Sequence, residues 1–199
     1  ALALQCLVVY MILLSVFAHV NPFTFLKKFV SVMAFAFSTA TSNATIPLNI
    51  ETLDKKMGVD RRISSFTIPL GATINMDGTA IMQGVAVVFT AQLFGVDLGP
   101  VEYATVIATA TLASIGTAGV PSVGLITLSM VFNSVGLPLE GIALIMGIDR
   151  ILDMTRTAVN ITGDAVCTMV VAKQEGRVNK AVFDDPDAGK TLEEMRAAS

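Results

Sequence analysis

The 199-residue chain predicts an all-α integral membrane protein built as an inverted repeat, and three observations carry that prediction. First, 53% of the residues are hydrophobic, only 15% are charged and Trp is absent; mean hydropathy is +0.71, and a soluble domain is more polar. Second, Lys and Arg are confined to the first third and to the stretch from Arg150 onward, with none between Arg62 and Arg150. Third, two apolar stretches are each interrupted by a run of helix-breaking residues, and each precedes a long segment with polar residues at its centre.

Taken in order, segments near 1–20, 63–96, 101–135 and 139–172 are apolar enough to enter or cross a bilayer core of about 30 Å. Residues 1–20 have neither an initiator Met nor a basic leader region, so they read as the end of a transmembrane helix rather than a signal peptide. The chain then reads as the C-terminal part of a longer protein. Residues 21–58 have basic residues at both ends (Lys27, Lys28, Lys55, Lys56) and a polar middle, Ser38 to Pro47. Residues 100–137 have no basic residue at either end and a middle of Ser114-Ile115-Gly116-Thr117-Ala118-Gly119-Val120-Pro121. Gly and Pro disfavour helix interiors, and Ser, Thr and Asn offer the backbone other partners. Such breaks persist at membrane depth only when buried in protein or lining a cavity. Both segments therefore read as re-entrant helical hairpins.

Charge placement orients them. By the positive-inside rule, the basic segment 21–62 and the C-terminus lie on the cytoplasmic side. The acidic loops around Asp97, Glu102 and Glu140 lie on the other. The hairpins thus enter from opposite sides. Each is followed by one long helix: 61–96, interrupted at Asn75-Met76-Asp77-Gly78-Thr79, and 139–173, with a polar face. Inverted repeats with broken helices meeting near the midplane are the architecture of many secondary transporters. Residues 174–199 turn polar and read as a cytoplasmic tail, mostly disordered, with a short helix near 190–198. Cys6 and Cys167 read as small hydrophobes without a disulfide, His19 as an interfacial residue, and the Met and Phe residues as packing.

The polar face of 139–173 is the densest functional signal. At about 100° per residue in an α-helix, Asp149, Asp153, Arg156, Thr157, Asn160 and Asp164 fall within an arc of roughly 100°. Ionisable groups in a membrane helix cost about 2.5–3.5 kcal/mol each on insertion scales and mark substrate or ion pathways. Arg156 can pair a carboxylate bidentately, and Asp153 one turn away can accept from an ammonium. The same two residues could instead form an internal ion pair that staples the helix. Residues 149–164 with Asp77 carry four carboxylates and two Arg, a formal charge of −2. An anionic substrate deepens that deficit, so cations must enter with it or carboxylates must be protonated. Asn75, Asp77, Asn160 and Asp164 offer hard oxygens of the type alkali cations prefer; alternatively, Asn75 and Asp77 only cap the broken helix.

Three motifs in order extend this reading to a family. Ile68-Pro69-Leu70-Gly71-Ala72-Thr73-Ile74-Asn75-Met76-Asp77-Gly78-Thr79 resembles the interrupted seventh helix of the glutamate/aspartate transporters (dicarboxylate/amino acid:cation symporters). Ala113 to Pro121 resembles the tip of their second hairpin, and Asp153 to Asp164 their eighth helix. The resemblance spans about 1–175 and implies the transport domain of that fold. The counterpart of the family's N-terminal half, including the scaffold that forms its homotrimer, is missing. It implies substrate contacts at Ser42, Thr79, Val120, Asp153, Arg156, Thr157 and Asn160. It also implies sodium ligands at Gly71, Thr73, Asn75, Asp77, Ser114, Ile115, Thr117, Asn160 and Asp164, the backbone supplying those at Gly71, Thr73, Ser114, Ile115 and Thr117. Members handling neutral amino acids typically lack the Arg matched by Arg156, so its presence points to aspartate or glutamate. Two departures stand out. Ala40 and Met154 occupy positions where prokaryotic and animal members, respectively, carry a further Arg. Arg150, one turn earlier, either replaces that charge or pairs locally with Asp149.

The resulting expectation is a sodium-coupled symporter of an acidic amino acid, working by alternating access, with residues 114–124 as the gate on the non-cytoplasmic side. It would reside among lipids of a bacterial inner membrane with its C-terminus cytoplasmic, need no cofactor beyond sodium as coupling ion, and bind no nucleic acid. A proton-coupled C4-dicarboxylate symporter is the alternative. An intramembrane aspartyl protease using Asp77 and Asp164 and an open channel are remote ones. The protease signature Gly-x-Gly-Asp is not met by Ile161-Thr162-Gly163 before Asp164.

Overall fold

The computed structural model describes residues 1–115, 119 and 121–189. Among these the chain is helical throughout, apart from one antiparallel bridge between Val59 and Val178. The first stretch alternates α1 (Leu2–Leu4) and α2 (Tyr10–Leu13) with π-helical turns Gln5–Val9 and Leu14–Ala18. It ends at His19 in the left-handed region. Asn21 then caps α3 (Pro22–Thr39), its side-chain oxygen accepting from the amides of Phe23 and Thr24, with Pro22 at the first helical position, where its missing N–H costs nothing.

The polar run 38–47 breaks the helix far less than its composition suggests. Only Ala40, left-handed at φ 50°, and the extended Thr41 separate α3 from α4 (Ser42–Met57). Pro47 lies inside α4 and leaves the Asn43 carbonyl without its intrahelical amide. The break in the next segment is narrow as well. α5 (Arg61–Ile74) and α6 (Asp77–Phe94) are separated by Asn75 and Met76 alone, and Asp77-Gly78-Thr79 form the first turn of α6. The second hairpin comprises α7 (Pro100–Ser114) and α8 (Val123–Ser134). Its tip residues Gly116, Thr117, Ala118 and Val120 lie outside the described residues. α9 (Glu140–Gln174) is a continuous 35-residue helix, about 52 Å long at 1.5 Å per residue. It packs against α3, α4, α5, α6 and α8.

No helix among the described residues is long and apolar enough to cross a membrane. The apolar segment 63–96 is cut at Asn75-Met76, 101–135 is cut at the hairpin tip, and α9 carries Asp149, Arg150, Asp153, Arg156 and Asp164 through its middle. The apolar residues instead form two cores. One gathers Tyr10, Leu14, Phe25, Phe29, Leu53, Ile68 and the C-terminal half of α9. The other gathers Met82, Val87, Val106, Leu128, Phe132 and Ile145. Between them lie the α3–α4 junction, the α5–α6 break and the polar middle of α9. Many large apolar side chains face outward, among them Phe23, Phe66, Val101, Ile107 and Leu112.

The described part of the tail is ordered by contacts with the rest of the chain, where composition predicts disorder. Residues 176–189 return to the base of α4, with a short α10 (Lys180–Asp184) whose Phe183 is buried. Charge composition obscured a single aromatic anchor. The helix expected near 190–198 lies outside the described residues.

Candidate functional site

The site is assembled where two broken elements leave helix ends uncapped by their own backbone. At the start of α6 the Gly78 amide donates to Asn160 Oδ1 at 2.7 Å and to Asp77 Oδ1 at 2.9 Å. A helix N-terminus has amides without intrahelical partners and a positive dipole end, so side-chain oxygens settle there. Asn160 Nδ2 in turn donates to Thr79 Oγ1 at 3.3 Å and approaches Met76 Sδ at 3.5 Å. Gly78 has no room for a side chain: a Cβ would stand 2.8 Å from Asn160 Oδ1 and 3.0 Å from the Arg156 carbonyl.

Arg156 lies one turn before Asn160 on α9 and is 3% exposed. Its Nε and Nη2 both donate to Asp153 Oδ1, at 3.0 and 2.7 Å. Its Nη1 has no hydrogen-bond partner and stands 3.7 Å from Asp149 Oδ1. The guanidinium lies flat against Gly124, where a Cβ would come within 2.5 Å of Nη1. Asp153 Oδ2 accepts from the Ser122 amide at 2.9 Å, which ties the start of α8 to α9. The Asp153–Arg156 pair read from spacing is therefore formed, and a charged ligand would compete for the same atoms. Arg150 is exposed and joins no ion pair among the described residues. It neither pairs with Asp149 nor supplies charge to the site. Ala40 lines the pocket.

Ala40, Ser42, Met76, Thr79, Gly119, Val123, Gly124, Asp153, Arg156, Thr157 and Asn160 surround a cavity of about 20 Å³. That is room for about one water. The two hairpin tips close it: Thr41 Oγ1 donates to the Gly119 carbonyl at 2.6 Å, and a Cβ on Gly119 would meet Ser42 and Asn43 at 3.1 Å. Val120 and Thr117 lie outside the described residues. Ser114 is buried at the end of α7, its hydroxyl donating to the Thr111 carbonyl at 2.9 Å. The Ile115 side chain is exposed.

Asp164 and Asp77 sit in separate hydrogen-bond settings. Asn75 Nδ2 donates to Asp164 Oδ1 at 2.9 Å, and Gly71 approaches so closely that a Cβ would stand 2.5 Å from that oxygen. The Gly71 carbonyl accepts from the Asn75 amide at 2.7 Å. The Thr73 hydroxyl points away and donates to the Leu70 carbonyl at 2.8 Å. Asp77 Oδ2 accepts from Gln5 Nε2 at 2.7 Å and from the Tyr10 hydroxyl. Gln5 and Tyr10 carried no sequence signal; they lie 72 and 67 residues away in a stretch that reads as plain apolar helix. Gly163 joins the two settings, since a Cβ there would meet Tyr10 Oη at 2.6 Å and Asn75 Nδ2 at 2.8 Å.

The chain belongs to the sodium:dicarboxylate symporter family, whose model matches residues 1–174. It is 44% identical to the "Excitatory amino acid transporter" of Caenorhabditis elegans over 85% of this chain and 34% of that protein. With "Excitatory amino acid transporter 3" of Mus musculus the identity is 45%, over 86% and 33%. With "Neutral amino acid transporter A" of Homo sapiens it is 46%, over 76% and 28%. The chain thus spans about a third of the length of these relatives. The family and these relatives are transporters, not enzymes, which sets the protease reading aside.

Proposed function

We propose that this chain is the transport domain of a secondary symporter that couples uptake of aspartate or glutamate to sodium influx by alternating access. The observation that carries the proposal is the buried Arg156 at the wall of a polar pocket, hydrogen-bonded to Asp153 through Nε and Nη2, with an Nη1 that makes no hydrogen bond and stands 3.7 Å from Asp149. An acidic amino acid carries complements to both groups: its side-chain carboxylate takes the guanidinium, and its ammonium takes Asp153. Ser42, Thr79, Val120, Thr157 and Asn160 are the further contacts. A C4-dicarboxylate would set its second carboxylate against Asp153 and is disfavoured on that ground. A neutral amino acid leaves the guanidinium without a ligand partner.

Sodium is the proposed coupling ion, held by oxygens of Gly71, Thr73, Asn75, Asp77, Ser114, Ile115, Thr117, Asn160 and Asp164. The formal charge of the region supports this, because an anion entering a net-negative buried site needs cations with it. In this reading 21–58 and 100–137 are re-entrant hairpins from opposite faces, and 61–96 and 139–173 are the paired long helices. The full protein is a homotrimer in a bacterial inner membrane with a cytoplasmic C-terminus. The test is counterflow of radiolabelled aspartate in liposomes carrying the full-length protein. Accumulation that needs sodium supports the reading; accumulation driven by protons alone, or succinate but not aspartate as substrate, overturns it.

A cavity of about 20 Å³ admits no amino acid, so one wall must move. Residues 114–124 are the proposed gate, held shut by ligand contacts and by the Thr41–Gly119 bond. Without ligands the tip's backbone groups need water, and the open form gains population. A cysteine introduced at Ala118 in the full-length protein is expected to react quickly with a water-soluble thiol reagent in the absence of ligands. Sodium plus aspartate should protect it, and a bulky competitive blocker should not. Equal rates in all three conditions rule out the gate.

A further inference from the structure

Beyond residue 174, where the family match ends, the chain makes a set of contacts that the transport reading does not use. The Lys28 ammonium lies within hydrogen-bond distance of four main-chain carbonyls, Lys56 at 2.7 Å, Val182 at 2.9 Å, Phe183 at 2.8 Å and Asp185 at 2.7 Å, so one of its three N–H groups is shared between two of them. It also stands 5.7 Å from the centre of the Phe183 ring. Around this point the main chains are stitched. The Asp60 amide donates to the Arg177 carbonyl at 3.0 Å, and the Asn179 amide to the Gly58 carbonyl at 2.7 Å. These two bonds flank the Val59–Val178 bridge. Gly58 has φ +68°, and a Cβ there would stand 2.5 Å from the Asn179 carbonyl oxygen, so this approach needs glycine. Phe183 is 1% exposed and packs in the same core as Phe29, Met57 and Val59.

The tied point is the base of α4, whose other end, Ser42, lines the pocket. A single helix is stiff, so holding its base limits the travel of its tip. We propose that residues 176–189 are a cytoplasmic brace that immobilises the first hairpin, with Lys28 as its pin, so that this hairpin serves as a fixed wall of the site. Lys28 joins all three parts: it is on α3, it binds the end of α4, and it binds α10. Burial lowers the Lys28 pKa, while the charges of Asp185 and Asp184 pull it upward. Replacement by Met therefore removes a partly desolvated charge along with its bonds, and water can reach the freed carbonyl of Asp185.

The experiment is amide hydrogen exchange on the full-length protein, which needs no transport substrate and so stands or falls apart from the symport reading. In Lys28→Met, amides of 42–57 and 180–185 are expected to exchange at least tenfold faster than in the parent. Those of 77–94 should be unchanged. Lys27→Met, exposed on the same helix, should leave all of them alone. Positions 59 and 178 face each other as a non-hydrogen-bonded antiparallel pair, the geometry with the shorter Cα separation, about 4.5 Å, which a disulfide can span. Oxidised Val59→Cys/Val178→Cys added to Lys28→Met should restore slow exchange over 42–57. Parental exchange in Lys28→Met, faster exchange spread over 77–94 as well, or a formed crosslink without recovery would each overturn the brace.

Discussion

Replacing Arg156 with Ala in the full-length protein is expected to weaken aspartate binding by about 2–5 kcal/mol, the range for a buried charge pair losing one partner. Serine or alanine binding should change far less. The asymmetry follows from the proposed binding mode, in which the ammonium of either ligand would meet Asp153 while only an acidic side chain would meet the guanidinium. The substitution also leaves Asp149 and Asp153, both buried, without their shared counter-charge, and stability should fall. Adding Asp149→Asn to Arg156→Ala separates the two effects. It removes one uncompensated carboxylate and should recover thermal stability without recovering aspartate affinity. Isothermal titration with aspartate and serine, beside thermal melts, reads both. Equal loss for the two ligands, or recovery of aspartate binding in the double variant, assigns Arg156 a structural role alone.

Asp164→Asn is expected to raise the sodium concentration for half-maximal aspartate binding at least tenfold, about 1.4 kcal/mol, with the fold retained. Retention is expected because the amide oxygen of Asn can still accept from Asn75 Nδ2, which now lies 2.9 Å from the Asp164 carboxylate. What disappears is the negative charge, and a cation should feel that directly. The measurement is aspartate affinity over a sodium series. A sodium dependence equal to the parent's means that Asp164 only holds Asn75, or that coupling runs through protons.

The polar face of α9 could be read from the chain because it is local. Asp149, Asp153, Arg156, Thr157, Asn160 and Asp164 share one side of a helix by spacing alone, and the structure buries all six. The breaks within 75–79 and after Ser114 were marked by runs of Asn, Asp, Gly, Ser and Thr, although the first is narrower than its marker, since Asp77-Gly78-Thr79 belong to α6. The extent of the first hairpin's break was not marked, because composition over 38–47 does not say which residue turns. A left-handed Ala40 decides that, a conformation that a residue with a Cβ adopts against its own preference. The partners of Asp77 were equally hidden, since Gln5 and Tyr10 reach it only through the tertiary fold.

The helical class, the polar face, the approximate positions of the helix breaks and, through its motifs, the family are properties of neighbouring residues along one element, so the chain alone carries them. Which carboxylate meets which donor, the turning of Arg156 onto Asp153, the closing of the pocket to about 20 Å³ and the return of a charged tail to Lys28 come instead from packing between elements. Those outcomes depend on burial, and burial is set by elements dozens of residues apart that meet only when the cores close.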